Sequence, residues 1–119
     1  MVDATPVRVH LPTEEAIQEI VAAVVRDYHP LAVLLFGSRA RGDHRPTSDV
    51  DLLVVLHELP EGVSRRQVRA ALYNRLAFAP LIVDVVVATS AQLADARGDY
   101  SSVLHWAREE GVTLYDARS

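Results

Sequence analysis

Gly37-Ser-Arg-Ala-Arg-Gly-Asp-His-Arg-Pro-Thr-Ser-Asp49-Val-Asp51 is the stretch from which the architecture of this chain can be read: a Gly-Ser pair, ten residues, then two aspartates one residue apart. Immediately before it, Leu31 to Phe36 is apolar without polar alternation, the pattern of a short buried strand that stops at Gly37. Immediately after it, Asp49 to Leu56 continues from the aspartates into Leu-Leu-Val-Val-Leu and reads as a second strand. Strand side chains alternate, so Asp49 and Asp51 are expected on one face and Val50 and Leu52 on the other. The loop between the strands is rich in Gly, Arg, Pro and Ser and has no periodicity. Gly37 lets the backbone turn sharply and approach a ligand closely, and Ser38 adds a hydroxyl donor. A Gly-Ser pair by itself is a common turn. At this distance from two aspartates it offers a phosphate cradle beside a metal-binding carboxylate pair, the two things needed to handle a nucleoside triphosphate.

At a rise of ~3.3 Å per residue the two aspartate Cα atoms lie ~7 Å apart, and their carboxylates can converge on metal ions between them. Magnesium suits such a pair, being a hard cation that takes one or two carboxylates plus substrate phosphates. The bland alternative has Asp49 merely opening the strand and Asp51 facing solvent. Asp84 is informative by itself, because it interrupts Leu-Ile-Val-Asp-Val-Val-Val-Ala, and an ionised carboxylate is costly to bury unless paired, hydrogen-bonded or bound to metal. If its strand lies beside the second one, Asp84 joins Asp49 and Asp51; the alternative is a structural salt bridge with an arginine. Arg39 and Arg41 could stabilise charge on a departing pyrophosphate or could be solvated loop residues.

Around this centre, residues 13–28 carry Ile17, Ile20, Val21, Val24, Val25 and Tyr28 at helical spacing, with Thr13 as a cap and His29-Pro30 as the stop. Ser64-x-x-Gln67 is a capping box opening a helix over 64–78, with Val68, Ala71, Leu72 and Leu76 inward and Arg65, Arg66, Arg69 and Arg75 on a solvated face. Leu81 to Ala88 reads as a third strand, Thr89 or Ser90 caps a short helix, a further helix covers 101–110 and stops at Gly111, and Val112 to Tyr115 reads as a last, edge strand. Tyr100, Trp106 and Tyr115 are expected to fill or rim the core. This order gives an α/β (α+β) domain with a mixed sheet and helices mainly on one face.

The chain has 119 residues, which fits one domain spanning 1–119. With no cysteine, thiolate metal sites and thiol nucleophiles are excluded, and with no lysine neither a Schiff base nor a Walker-type triphosphate site can form. A net charge of −4 disfavours direct stable nucleic-acid binding, which rests on neutralising phosphates. The histidines show no paired ligand spacing for zinc. Neither a signal peptide nor an apolar run near the ~20 residues of a membrane span is present, so a soluble cytoplasmic protein without membrane contact is expected.

Gly37-Ser38, the ten-residue gap, Asp49-x-Asp51 and Asp84 on a later strand resemble the minimal nucleotidyltransferases of the DNA polymerase β-like superfamily. The longer string through Ser48-Asp-Val-Asp-Leu-Leu-Val54, with the ending Glu110-Gly-Val-Thr-Leu-Tyr115, is similar to the MNT-domain antitoxins that accompany HEPN-domain toxins. The resemblance implies a palm-like nucleotidyltransferase fold in which Gly37 and Ser38 hold the triphosphate of ATP. Asp49, Asp51 and Asp84 would bind magnesium, and Asp84 would bind metal or draw the proton from an attacking hydroxyl. It further implies transfer of AMP to a hydroxyl, typically of a tyrosine, on a HEPN RNase toxin, with release of pyrophosphate. Two alternatives stay open: a non-catalytic antitoxin acting by occlusion, and a transferase acting on a small molecule such as an antibiotic.

Overall fold

The computed structural model describes residues 12–37, 40, 42, 50–76 and 83–118. The elements run α1 (Pro12–Tyr28), β1 (Ala32–Phe36), β2 (Val50–Leu56), α2 (Arg65–Arg75), β3 (Val83–Thr89), α3 (Ser90–Asp95), α4 (Val103–Glu110) and β4 (Val112–Asp116). The sheet order is β3-β2-β1-β4, with β1 antiparallel to both β2 and β4 and β2 parallel to β3. It is therefore the mixed sheet the element order implies, with β4 at one edge and β3 at the other. No helix among the described residues is long and apolar enough to cross a membrane.

Alternation along the strands divides the interior between the two sheet faces. Val50, Leu52, Val54 and Leu56 of β2, with Val33 of β1 and Val83, Val85 and Val87 of β3, pack with Ile20, Val21 and Val24 of α1 and Val68, Leu72 and Leu76 of α2. The opposite face gathers Leu53, Val55 and Ala88 with Ala107, against which Leu34, Phe36, Leu93 and Leu104 pack. The two long helices thus share one face, and the short α3 and α4 cover part of the other. β2 lies centrally, and only Asp51 among its seven residues escapes full burial. Its continuous apolar run is what a strand buried on both faces requires.

Local chemistry sets the ends of these elements. α1 stops at His29, whose φ of 48° is left-handed and whose amide donates to the carbonyl of Val25 at 2.9 Å. Ser64 and Gln67 form the capping box of α2, and Thr89 with Gln92 forms a second box that starts α3. Ser102 caps α4.

Three expectations are corrected. Thr13 does not cap α1, because the helix already begins at Pro12 and holds Thr13 within its first turn. Ala71 is exposed, because the buried stripe of α2 is narrower than the spacing suggested and holds only Val68 and Leu72 within the helix. Tyr100 and Trp106 do not fill the core; they are 72% and 44% exposed. They pack instead around His105, with Tyr100–His105 and His105–Trp106 centroids at 4.8 and 4.9 Å, both edge-on. The indole N–H donates to the carbonyl of Tyr100 at 2.8 Å, so this cluster fastens the turn before α4 to the helix itself. Tyr115 does pack against the core.

Candidate functional site

Asp51 and Asp84, two of the three expected aspartates, stand side by side on the parallel strand pair. Asp51 and Asp84 are Cα partners in the register of β2 and β3, and residues so paired point to the same face at the ~4.8 Å spacing of neighbouring strands. The face is the one on which α3 and α4 pack. Val50 and Leu52 point to the other face and are fully buried, as alternation demands. Phe36 is the partner of Asp51 on the other side, so Gly37 follows directly where β1 leaves the sheet.

Gly37 has a φ of 74°. A β-carbon built there would run into the Oδ2 atom of Asp51 and lie 3.2 Å from its Cγ. The turn is therefore glycine for two separate reasons: a backbone conformation that other residues resist, and a carboxylate that fills the side-chain space. Phe36-Gly37, Asp51 and Asp84 form one row across three strands. Ser38, Arg39, Arg41 and Asp49 lie outside the described residues, as do Thr13's side chain and Leu81.

Asp84 has two partners that the sequence reading did not single out. The Tyr73 hydroxyl donates to Asp84 Oδ1 at 2.5 Å, and Arg69 Nη2 reaches the same oxygen at 3.4 Å. Both come from α2, one turn apart, and the Arg69 guanidinium lies 5.2 Å from the centroid of the Tyr73 ring. Arg69 Nε donates to the carbonyl of Val85 at 2.8 Å, and the amide of Val85 donates to the Tyr73 hydroxyl at 3.1 Å. Arg69 is held above its ordinary pKa, first by Tyr73 and then by Asp84. Arg69 is consequently more than a member of a solvated helix face. The legible signal was its spacing from Tyr73, since residues four apart share a helix face.

Next to this cluster, a groove of about 450 Å³ follows the open edge of β3, lined by Ser64, Arg65, Arg66, Arg69 and Val85 to Val87. Arg69 joins the groove to Asp84. Among the described residues no group of three His, Cys, Asp or Glu side chains is placed to hold a metal ion. What they provide is a pair of carboxylates, hard oxygen donors in adjacent strands with Asp84 half-exposed, and a Gly37 turn whose missing side chain makes room for one of them. That donor chemistry fits magnesium, which binds through one or two carboxylates and completes its shell with substrate oxygens and water.

This chain belongs to the nucleotidyltransferase domain family, whose model matches residues 17–102. A curated relative, "Putative protein adenylyltransferase MJ0141" of Methanocaldococcus jannaschii, is 35% identical over 63 residues, covering 49% of this chain and 64% of the relative. The match thus spans less than two thirds of that protein's length. Among solved structures, a "putative nucleotidyltransferase from Sulfolobus solfataricus" superposes with a TM-score of 0.65 at 24% identity, covering 98% of this chain and 91% of that one. A toxin–antitoxin structure solved with AMP-PNP superposes with a TM-score of 0.52 at 21% identity, covering 85% of this chain and 74% of that one. These two likenesses establish the α/β nucleotidyltransferase fold.

Proposed function

We propose that this chain is an adenylyltransferase antitoxin: it transfers AMP from ATP to a hydroxyl, that of a tyrosine, on a partner HEPN-type RNase toxin and so silences it. The observation that carries this reading is the row formed by Gly37, Asp51 and Asp84 across β1, β2 and β3. Support for the adenylyl group and the protein acceptor comes from the name of the M. jannaschii relative, and support for a toxin partner from the toxin–antitoxin structure of the same fold.

In this reading Gly37 and Ser38 hold the triphosphate, and Arg39 and Arg41 balance charge on the pyrophosphate as it leaves. Asp49 and Asp51 would hold magnesium, which when bound would supply charge neutralisation at the phosphate oxygens. Asp84, on the far side of Asp51 from Gly37, accepts the proton of the incoming hydroxyl. The hydroxyl oxygen bonds to the α-phosphorus, the bond from that phosphorus to the bridging oxygen of the β-phosphate breaks, and pyrophosphate departs. The accepted proton leaves the site to solvent.

Incubation of the purified chain with the HEPN toxin, ATP and magnesium is expected to raise the toxin's mass by whole AMP groups, and Asp49→Asn or Asp51→Asn to stop it. Labelling that survives both substitutions would refute the assignment. Full rescue from toxicity by the Asp49→Asn/Asp51→Asn double variant would move the mechanism to occlusion.

A further inference from the structure

The contacts around Asp84 amount to a clamp. Tyr73 uses its hydroxyl proton on Asp84 Oδ1 and accepts from the amide of Val85 at 3.1 Å and from Arg69 Nη2 at 3.3 Å. All of the phenol oxygen's hydrogen-bonding positions are thus engaged within the clamp.

The ion pair within the clamp adds little stability of its own. The Arg69 and Asp84 side chains are 52% and 50% exposed, and an ion pair of that exposure is worth ~0–1 kcal/mol. What the arrangement supplies is geometry. Two donors converge on Oδ1, and each is itself tied to the backbone of the next residue, Val85, one through its carbonyl and one through its amide. The carboxylate is thus referenced to the strand that bears it, and neither donor touches Oδ2.

We propose that Tyr73 and Arg69 are positioning residues for nucleotidyl transfer: they fix the Asp84 carboxylate through Oδ1 and leave Oδ2 to meet the acceptor hydroxyl. This inference rests on the adenylyltransferase reading above. The same two side chains also close the outward backbone groups of edge residue Val85, and a role limited to that would move stability without moving turnover.

The test compares Tyr73→Phe, Arg69→Gln and Arg69→Lys with the unmodified chain, using the HEPN toxin and MgATP. Loss of groups that orient an active carboxylate costs about 10- to 100-fold in activity, and Tyr73→Phe and Arg69→Gln are expected to lower kcat by that factor. KM for ATP and the calorimetric affinity for AMP-PNP with magnesium should stay at the unmodified values, since neither residue faces the Gly37 side of the row. The Tyr73→Phe/Arg69→Gln double variant should fall little further than the worse single one, because both act through one oxygen. Arg69→Lys should not restore kcat, because a point ammonium cannot span the Val85 carbonyl and Asp84 as the guanidinium fork does. Undiminished kcat in Tyr73→Phe, with the unmodified chain active, would overturn the positioning role alone. So would a kcat loss matched by lost AMP-PNP affinity and a lowered melting temperature. No AMP transfer by the unmodified chain would overturn the function and the positioning role together.

Discussion

The carboxylate of Asp51 occupies the space that a β-carbon on Gly37 would need. The relationship follows from register: Phe36 pairs with Asp51, so the chain leaving β1 must pass close over that carboxylate. Asp51 in turn pairs with Asp84, whose far side is held by α2. In the proposed reading the site has a direction across the sheet, with the turn that would hold phosphates at the β1 end and the clamped carboxylate at the β3 edge. An acceptor arriving along the β3 edge meets Asp84 before Asp51.

Gly37→Ala is expected to injure the site twice over. A left-handed backbone costs a non-glycine residue ~1–2 kcal/mol, and the added methyl also collides with Asp51. Urea denaturation should show a stability loss of about that size. Calorimetry should show a much larger loss of AMP-PNP affinity, since the only escape from the collision is to move the turn or the carboxylate. Retained affinity at reduced stability would show that Asp51 can yield without consequence, and the row would lose its role in nucleotide binding.

Asp84→Asn separates the two readings of this residue that the sequence left open. Both are realised in geometry, since Asp84 faces the Asp51 row and also pairs with Arg69. Asparagine keeps an oxygen for Tyr73 and Arg69, and an exposed pair contributes only ~0–1 kcal/mol, so melting should change little. A residue that accepts the acceptor's proton contributes about 10²- to 10⁴-fold, and AMP transfer should drop within that range. Transfer at the unmodified rate would reduce Asp84 to a salt-bridge partner.

Much of the fold was legible because the short-range signals agreed with one another. The apolar runs of β1, β2 and β3 lie where the sheet needs strands, the box Ser64/Gln67 starts α2 as its spacing predicts, and of the two caps offered for α3 the structure uses Thr89. The pairing of Asp51 with Asp84 was legible only conditionally, since sequence placed each on a strand but could not make those strands neighbours. Tyr73 was missed because a half-buried tyrosine on an amphipathic helix looks like packing, and its ring does pack against the core. Only its hydroxyl, reaching past the edge of β3, carries the contact, and no periodicity encodes where a side chain's tip ends. Tyr100 and Trp106 misled for the converse reason: their rings pack on each other and on His105, which leaves both of them exposed.

Asp99 gives the fold a measurable dependence on acidity. Its Oδ1 accepts from the Ser101 hydroxyl at 2.6 Å and the Ser101 amide at 3.1 Å, closing the turn that leads into α4. These bonds favour the ionised carboxylate and lower its pKa, the hydroxyl contributing most and the amide next, with the charge of His105 adding a smaller pull. A carboxyl whose pKa is depressed on folding binds fewer protons folded than unfolded, so its contribution is complete above the unfolded value of ~3.9 and is lost as pH falls through the lower folded value. Asp116, lowered by Arg118, has the same sign, so acid unfolding of the parent chain cannot isolate Asp99. The difference between parent and Asp99→Ala can. The variant should melt below the parent at neutral pH by a margin that holds down to about pH 5, begins to narrow near pH 4 as the unfolded carboxyl takes up its proton, and closes once the folded parent's carboxylate is protonated as well. A margin that stays constant through that window would mean that the turn depends on the shape of the side chain and not on its charge.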